Sequence, residues 1–368
     1  MKRRAFIQKS AATASVFSIV PSHVLGFSGV APNDKIQLGF IGVGKQGRGL
    51  MTNFVNYDAS AVTAVSDVDV DKMSLFSEAF SKALAKKKKP SQKLSEMASY
   101  RELLSRKDID AVVIASPDHW HAQMAVDAAK AGKDIYCEKP LSASVAEGRA
   151  MVDAARKYQR VFQTGSMQRS WDRFRHGVEL IRNGYIGEIK EIKVAIGAPY
   201  KSCDLPTQAA PANIDWNAWI GPAPYRGYHK DLACPIGDKR WGMWRDYYPF
   251  GGGMVTDWGA HMFDIVQWAL DQDHTGPVQF TPPSSPPESG LVYTYENGIK
   301  VTHTKWGENN NEIQFIGTEG RLEISRGYLK TFPDVSLADK PIETPNAKRV
   351  YHSKNHHEDW LQAIRDRT

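Results

Sequence analysis

The chain has 368 residues, 42% hydrophobic and 24% charged, with a formal charge of +6. This length accommodates two domains with real cores. Lys2, Arg3, Arg4 and Lys9 lie in an acid-free leader and lower +6 by four, to +2, for the remainder, which excludes a nucleic-acid footprint.

The leader is the first readable element. Lys2-Arg3-Arg4-Ala5-Phe6-Ile7-Gln8-Lys9 has the pattern of a twin-arginine export signature, followed by a short apolar stretch from Ala11 to Val20 and a cleavage region near Gly26. The stretch is too short to span a bilayer. Residues 1–26 therefore predict a signal peptide, the twin-arginine translocase as a partner, a periplasmic destination and no stable membrane anchor. In that oxidising compartment Cys203 and Cys234 could pair, although spacing alone does not establish the geometry. The three cysteines, the third being Cys137, show no metal-ligand spacing, and no metal is expected.

From Ile36 an apolar run enters Gly42-x-Gly44-x-x-Gly47, and a second run, Ala61 to Val65, ends two residues before Asp67. Strand, glycine turn, helix and second strand make a dinucleotide-binding unit. Gly42 permits the turn, Gly44 lets the backbone approach a pyrophosphate, Gly47 allows close helix packing, and Lys45 and Gln46 occupy the helix start. Asp67, followed by Asp69, puts negative charge where a 2′-phosphate would lie, so NAD is expected in preference to NADP. The lysine run 86–89, without interleaved aromatics, reads as a solvated loop.

Ala111 to Ala115 is a continuous apolar run of the kind buried in a parallel sheet, and Ser116-Pro117-Asp118 opens the next helix. Asp134 to Cys137 is the following strand, with Glu138-Lys139-Pro140 at its end. Alternating strands and helices predict an α/β fold with a doubly wound Rossmann sheet over residues 34–160, whose ligands bind beyond the carboxyl ends of the strands.

A second domain, 161–345, is expected to begin with the strand Val161 to Thr164. Further strands are read at 188–196, 291–295, 299–305, 312–316 and 320–324, with Asn297-Gly298 as a hairpin turn. Tyr200, Trp216, Trp219, Tyr225, Tyr228, Trp241 and Trp244 crowd an insertion and suit either a sugar-stacking wall or a core; pocket composition favours Trp244 and Arg245 as substrate contacts. Asp257 and His261, four apart behind Gly251-Gly252-Gly253, would share a helix face. Histidine suits a hydroxyl proton because its ordinary pKa is near neutrality, and Lys139 would favour developing negative charge on the same oxygen. Residues 346–368 read as a terminal helix; adjacent His356 and His357 point to different sides of it, against a metal cluster.

Taken together, the glycine turn, Asp67, Ser116-Pro117-Asp118-His119-Trp120-His121-Ala122, Glu138-Lys139-Pro140, Gln163-Thr164-Gly165, Trp219-Ile220-Gly221-Pro222-Ala223-Pro224 and Asp257-x-x-x-His261 resemble the glucose-fructose oxidoreductase and inositol dehydrogenase (Gfo/Idh/MocA) family. The resemblance covers nearly all the chain after the leader. It implies a C-terminal α+β domain with a large open, mostly antiparallel sheet, a homo-oligomer, and nicotinamide-dependent chemistry on a sugar, polyol or glycoside. Lys139, Asp257 and His261 are implied as catalytic residues. Ser116, Pro117, His119, His121, Glu138 and Lys139 are implied beside the cofactor, and Gln168 and Arg169 join Trp244, Arg245 and Asp257 beside the substrate. Redox-neutral glycoside cleavage by oxidation, elimination and re-reduction is an alternative within the family, and a non-catalytic sugar-binding protein is another. Members usually continue for several dozen residues beyond a helix like the one that ends this chain at Thr368, so a truncation is expected.

Overall fold

A computed structural model of the chain describes residues 34–368 apart from 239, 284–289, 308 and 344, so the leader lies outside the described residues. Six strands, β1 Ile36–Ile41, β2 Ser60–Ser66, β3 Ser95–Met97, β4 Ala111–Ile114, β5 Asp134–Cys137 and β6 Phe162–Thr164, form one parallel sheet in the order β3-β2-β1-β4-β5-β6. β4 and β5 are buried along their whole length, as a sheet covered on both faces requires. The order reverses between β1 and β4, and ligands of such sheets bind at that switch point.

One boundary differs from the sequence expectation. The strand at Phe162–Thr164 belongs to the first sheet, pairing Ile135 with Phe162 and Cys137 with Thr164. A short extended segment carries no mark of which sheet it will join; here it completes the open backbone edge of β5. The terminal helix, His356–Asp366, also belongs to this domain. Asn355 caps it by accepting from the His357 and Glu358 N–H groups, and Trp360, Leu361 and Ile364 are buried in the same core as Phe40, Phe54 and Tyr136.

The second domain is built on a seven-stranded sheet, which with the small insertion strands comprises β7 Ile189–Ala195, β8 Lys201–Ser202, β9 Tyr247–Tyr248, β10 Gln279–Thr281, β11 Val292–Thr294, β12 Lys300–His303, β13 Glu312–Gly317, β14 Arg321–Ser325 and β15 Leu329–Phe332. The large sheet runs β10-β11-β12-β7-β13-β14-β15 and is antiparallel except where β12 meets β7. Helices Asp172–Arg182 and Gly259–Ala269 cover one face, packing Phe174, Val178, Met262 and Ile265 against Ile192, Val194, Ile313 and Phe315.

Between β7 and the helix at Gly259 lies the insertion, with a small core of its own. Trp216 stacks on Trp219 at 4.7 Å and 11°, and Tyr228, Trp244 and Phe250 bury with them. Trp216, Trp219 and Tyr228 are therefore core residues, whereas Tyr200, Tyr225 and Trp241 remain exposed. All three cysteines are free, so the considered Cys203–Cys234 pairing is not formed.

His357 offers a test of the terminal helix's packing. Its ring lies 5.1 Å from that of Phe54 and 5.7 Å from that of Tyr136, and burial pushes its pKa from 6.5 down to about 4. Between those values the unfolded chain binds the proton and the folded chain does not, so this histidine withdraws stability as pH falls through that window. Replacing it in His357→Phe should flatten the loss by at most about 1.4 kcal/mol per pH unit. Urea unfolding of both proteins at pH 7.5 and pH 5 measures the difference; parallel losses would show that His357 is not buried neutral.

Candidate active site

The glycine turn and β4 meet at the switch point. Gly42 has φ +80°, and a side chain there would lie 2.5 Å from the Ser116 nitrogen. Asp67, at the end of β2, accepts from the Val43 N–H at 2.8 Å and the Asp69 N–H at 3.0 Å, which holds the turn in shape. Burial raises the Asp67 carboxyl above its ordinary value, against the opposing pull of Lys72 and these two N–H groups.

A dinucleotide fits what these residues leave open. Gly44 faces free space, its helix Lys45–Phe54 has no side-chain cap, and Ser116 Oγ is buried without a partner. Gly42, Gly44, Lys45, Gln46, Asp67, Ser116 and Pro117 all line a cavity of about 390 Å³. Gly47 stands behind the turn, where a side chain would strike the Gly42 carbonyl at 2.4 Å.

The insertion forms the other wall of that cavity, through Leu232 to Ile236, Asp238, Arg240 to Gly242, Trp244 and Arg245 among others. It is attached to the nucleotide domain along three rims. Beside β2, Asp69 and Ile214 form a bridge, flanked by Val70 N to Asn213 O at 3.0 Å and Asp215 N to Val68 O at 2.9 Å. At the glycine turn, Lys45 Nζ donates to the Arg240 carbonyl. Beyond β4, His119 Nε2 at 3.1 Å and Trp120 Nε1 at 2.9 Å share the Trp219 carbonyl. The insertion is thus a strap over the cleft. Trp120 and the strap were not identified as a cofactor wall from sequence, because their partners are far apart along the chain.

Lys139 projects from the end of β5 and donates to Asp257 Oδ1 at 2.6 Å and to the Asp257 carbonyl at 3.1 Å. Arg245 Nε lies 3.4 Å from the same Oδ1. The glycine run makes this arrangement possible: Gly253, at φ +70°, donates its N–H to the Arg245 carbonyl at 2.8 Å, and a side chain there would collide with Pro199 and Tyr200. Burial alone would raise the Asp257 carboxyl, but Lys139 and Arg245 outweigh it and hold the group below its ordinary value.

His261 follows on the next helical turn, with Trp258 between the helices Met254–Asp257 and Gly259–Ala269. Its Nδ1 is buried without a hydrogen-bond partner. Burial, reinforced by the charges of Lys139 and Arg326, pushes it down to about 3. The near-neutral pKa that recommends histidine from sequence is therefore lost. The ring is neutral at physiological pH, an available but weak proton acceptor.

Other anticipated residues are distributed around this centre. His119 and His121 do not line the cavity; burial pushes each to about 4, and His121 spans the Pro140 and Ser116 carbonyls at 2.7 and 2.9 Å. Glu138 is buried and accepts from Gln46 Nε2 at 2.8 Å, with Gly165 leaving room for its carboxyl. These three support the walls of the cleft. Gln168 is buried with neither amide atom bonded, as a ligand-facing group can be. Arg169 is engaged by Asp264 and Asp273, with contacts of 2.7 to 2.9 Å, so a substrate would compete with two carboxylates for it. Trp244 and Arg245 line the cavity.

The turn yields a paired prediction. Gly44→Ala should preserve the unfolding midpoint yet weaken dinucleotide binding at least tenfold, whereas Gly47→Ala should destabilise the apo protein through its 2.4 Å clash. Thermal unfolding and calorimetric titration with NAD check both. Equal behaviour of the two variants would contradict the assignment of Gly44 to ligand space.

Comparison with known proteins agrees with this architecture. The family described as an oxidoreductase family with an NAD-binding Rossmann fold matches residues 36–166, and its C-terminal alpha/beta domain matches residues 199–367. The uncharacterized oxidoreductase YrbE of Bacillus subtilis is 31% identical over 83% of this chain and 78% of its own length. A glycosyl hydrolase family 109 protein of Shewanella pealeana is 34% identical over 42% of this chain, but the match spans only 31% of that relative. The solved structure of KijD10, a 3-ketoreductase from Actinomadura kijaniata in complex with NADP and TDP-benzene, shares the fold with a TM-score of 0.60 at 18% identity, over 90% of each chain. The chain belongs to the Gfo/Idh/MocA oxidoreductase family.

Proposed function

We propose that this protein is an oxidoreductase acting on a CH–OH carbon of a sugar, polyol or glycoside, with NAD held tightly in the cleft. The observation that carries the reading is the convergence of Lys139, Asp257 and His261 beyond β5, beside a glycine-turn cavity covered by the strap. When bound, the nicotinamide supplies the hydride acceptor and donor. Lys139 favours negative charge on the reacting oxygen, Asp257 fixes the lysine and orients substrate hydroxyls, and neutral His261 accepts the hydroxyl proton. NAD is preferred to NADP because Asp67 lines the cavity at the end of β2.

A second reading, redox-neutral cleavage of a glycoside, is favoured by the strap. A cofactor enclosed on three rims suits a reaction that regenerates it in place. An alpha-N-acetylgalactosaminidase of Shewanella oneidensis among the relatives points the same way, at 34% identity over 41% of this chain. Export through the twin-arginine translocase to the periplasm, inferred from Arg3 and Arg4, would impose the same need, since free nicotinamide is not supplied there. We also infer a homo-oligomer formed through the sheet face opposite the two helices, where Glu191 and Lys193 stand.

Two measurements test the proposal. Protein isolated from the periplasm and then denatured should release about one NAD(H) per chain; a chain that arrives empty would contradict resident cofactor. In the loaded protein, His261→Ala should slow reduction of the bound nicotinamide by sugars about 10² to 10⁴-fold while NAD content stays constant. An unchanged rate in a folded variant would remove His261 from the proton transfer.

A further inference from the structure

Arg326 has no place in the chemistry above, yet its surroundings are those of a built recognition group. It is the first residue of the three-residue connection from β14 to β15, closed by Ser325 N to Tyr328 O at 2.9 Å and by Ser325 Oγ accepting from the Gly327 and Tyr328 N–H groups. Arg173 donates to its carbonyl. The turn is therefore anchored at both its main chain and its flanks.

The guanidinium is held between two indoles, 4.3 Å from the Trp258 ring centroid and 5.4 Å from that of Trp171. Trp258 lies in turn 5.9 Å from the His261 ring, and the Arg326 charge acts on both His261 and Asp257, so the cation adjoins the candidate reacting centre. Such stacking fixes the plane of the guanidinium and leaves its N–H edge to bind something. Its Nε is buried without a hydrogen-bond partner. Among the described residues no carboxylate lies within ion-pair distance of it. Arg245, the other arginine whose charge acts on Asp257, has such a partner.

The local charge balance points the same way. Lys139, Arg245 and Arg326 all act on Asp257, which is already engaged by the first two. Asp118 and Glu138, the other acids nearby, are both pushed upward by burial, which weakens them as counter-charges. A half-buried cation with an unsatisfied donor is costly unless a ligand completes it.

We propose that Arg326 is a specificity-determining residue that pairs with a carboxylate carried by the carbohydrate substrate, so that the preferred substrates are acidic sugars of the uronate type. A carboxylate matches the planar N–H fork held by the two indoles. The proposal rests on the oxidoreductase reading of the same site and narrows its substrate class.

The test uses the NAD-loaded protein and pairs of methyl glycosides that differ only at C6: glucoside and glucuronide, galactoside and galacturonide, mannoside and mannuronide. Reduction of the bound nicotinamide gives kcat/KM, and quenching of tryptophan fluorescence gives binding. In at least one pair the uronide should be favoured roughly 10- to 100-fold, the range of a charge-assisted hydrogen bond. In Arg326→Gln that ratio should fall towards one, and Arg326→Lys, which keeps the charge but loses the fork, should lie between. No preference in any pair, or a loss in Arg326→Gln shared equally by both members of a pair, overturns the proposal. If no glycoside reduces the nicotinamide but the uronide still binds preferentially through Arg326, the oxidoreductase reading fails and the recognition role stands. If sugars reduce it without regard to the carboxylate, the opposite holds.

Discussion

A single ammonium–carboxylate contact, Lys139 to Asp257 at 2.6 Å, joins the end of the parallel sheet to the short helix Met254–Asp257 of the second domain. The rest of the candidate site is arranged around it. Both groups are largely withdrawn from water, so the attraction repays a desolvation penalty and adds little net stability. Its importance is positional. Removing Asp257 leaves the Lys139 charge buried without its carboxylate, a loss of about 3 to 5 kcal/mol in comparable buried pairs, whereas removing Lys139 leaves Asp257 with Arg245 alone. Lys139 holds its post because β5 ends there; Asp257 holds its own because Gly253 lets the Arg245 and Pro199–Tyr200 backbones close against the helix start.

The same desolvation that makes this contact strong also governs the histidines. His119, His121, His261, His356 and His357 are all driven to about 3 or 4, so all are neutral at physiological pH. Four of them serve packing or hydrogen bonding to main-chain carbonyls and flanking side chains. His261 shares its buried, unpartnered ring nitrogen with His119 and His357 and differs in standing among the charges of Lys139, Asp257 and Arg326, and that position, more than its residue type, singles it out. On the proposed mechanism, its low proton affinity leaves much of the work to Lys139, which favours negative charge on the reacting oxygen.

The insertion links cofactor and fold. Its tryptophan core makes it a rigid body, and the bridges at Asp69, Lys45 and Trp219 attach that body to the nucleotide domain on separate sides of the cavity. A rigid cover attached on several sides opens less readily than a mobile loop, since its contacts must break together. Through this connectivity residues 213–245 contribute a cavity wall that the parallel sheet alone does not have, which is the structural basis of the resident cofactor proposed above.

Local patterns were enough for much of this molecule. The glycine turn, Asp67 and the apolar runs of β1, β4 and β5 declared the dinucleotide fold, because turn geometry and full strand burial restrict residue choice over a few consecutive positions. Gly42-x-Gly44-x-x-Gly47 was legible for the same reason; Lys139, Asp257 and His261 stood out through the resemblance of their short motifs to a family, since their spacing alone fits structural roles equally well. What depends on distant partners was not legible. β6 joined the first sheet, the terminal helix returned to the first core, Trp216 and Trp219 stacked inward, and His119 bonded the Trp219 carbonyl. In every case the deciding contact was with a segment remote in sequence. The pKa of His261 and the unpaired charge of Arg326 belong to this second class, since electrostatic environment is set by everything packed around a group and only the tertiary structure assembles those neighbours.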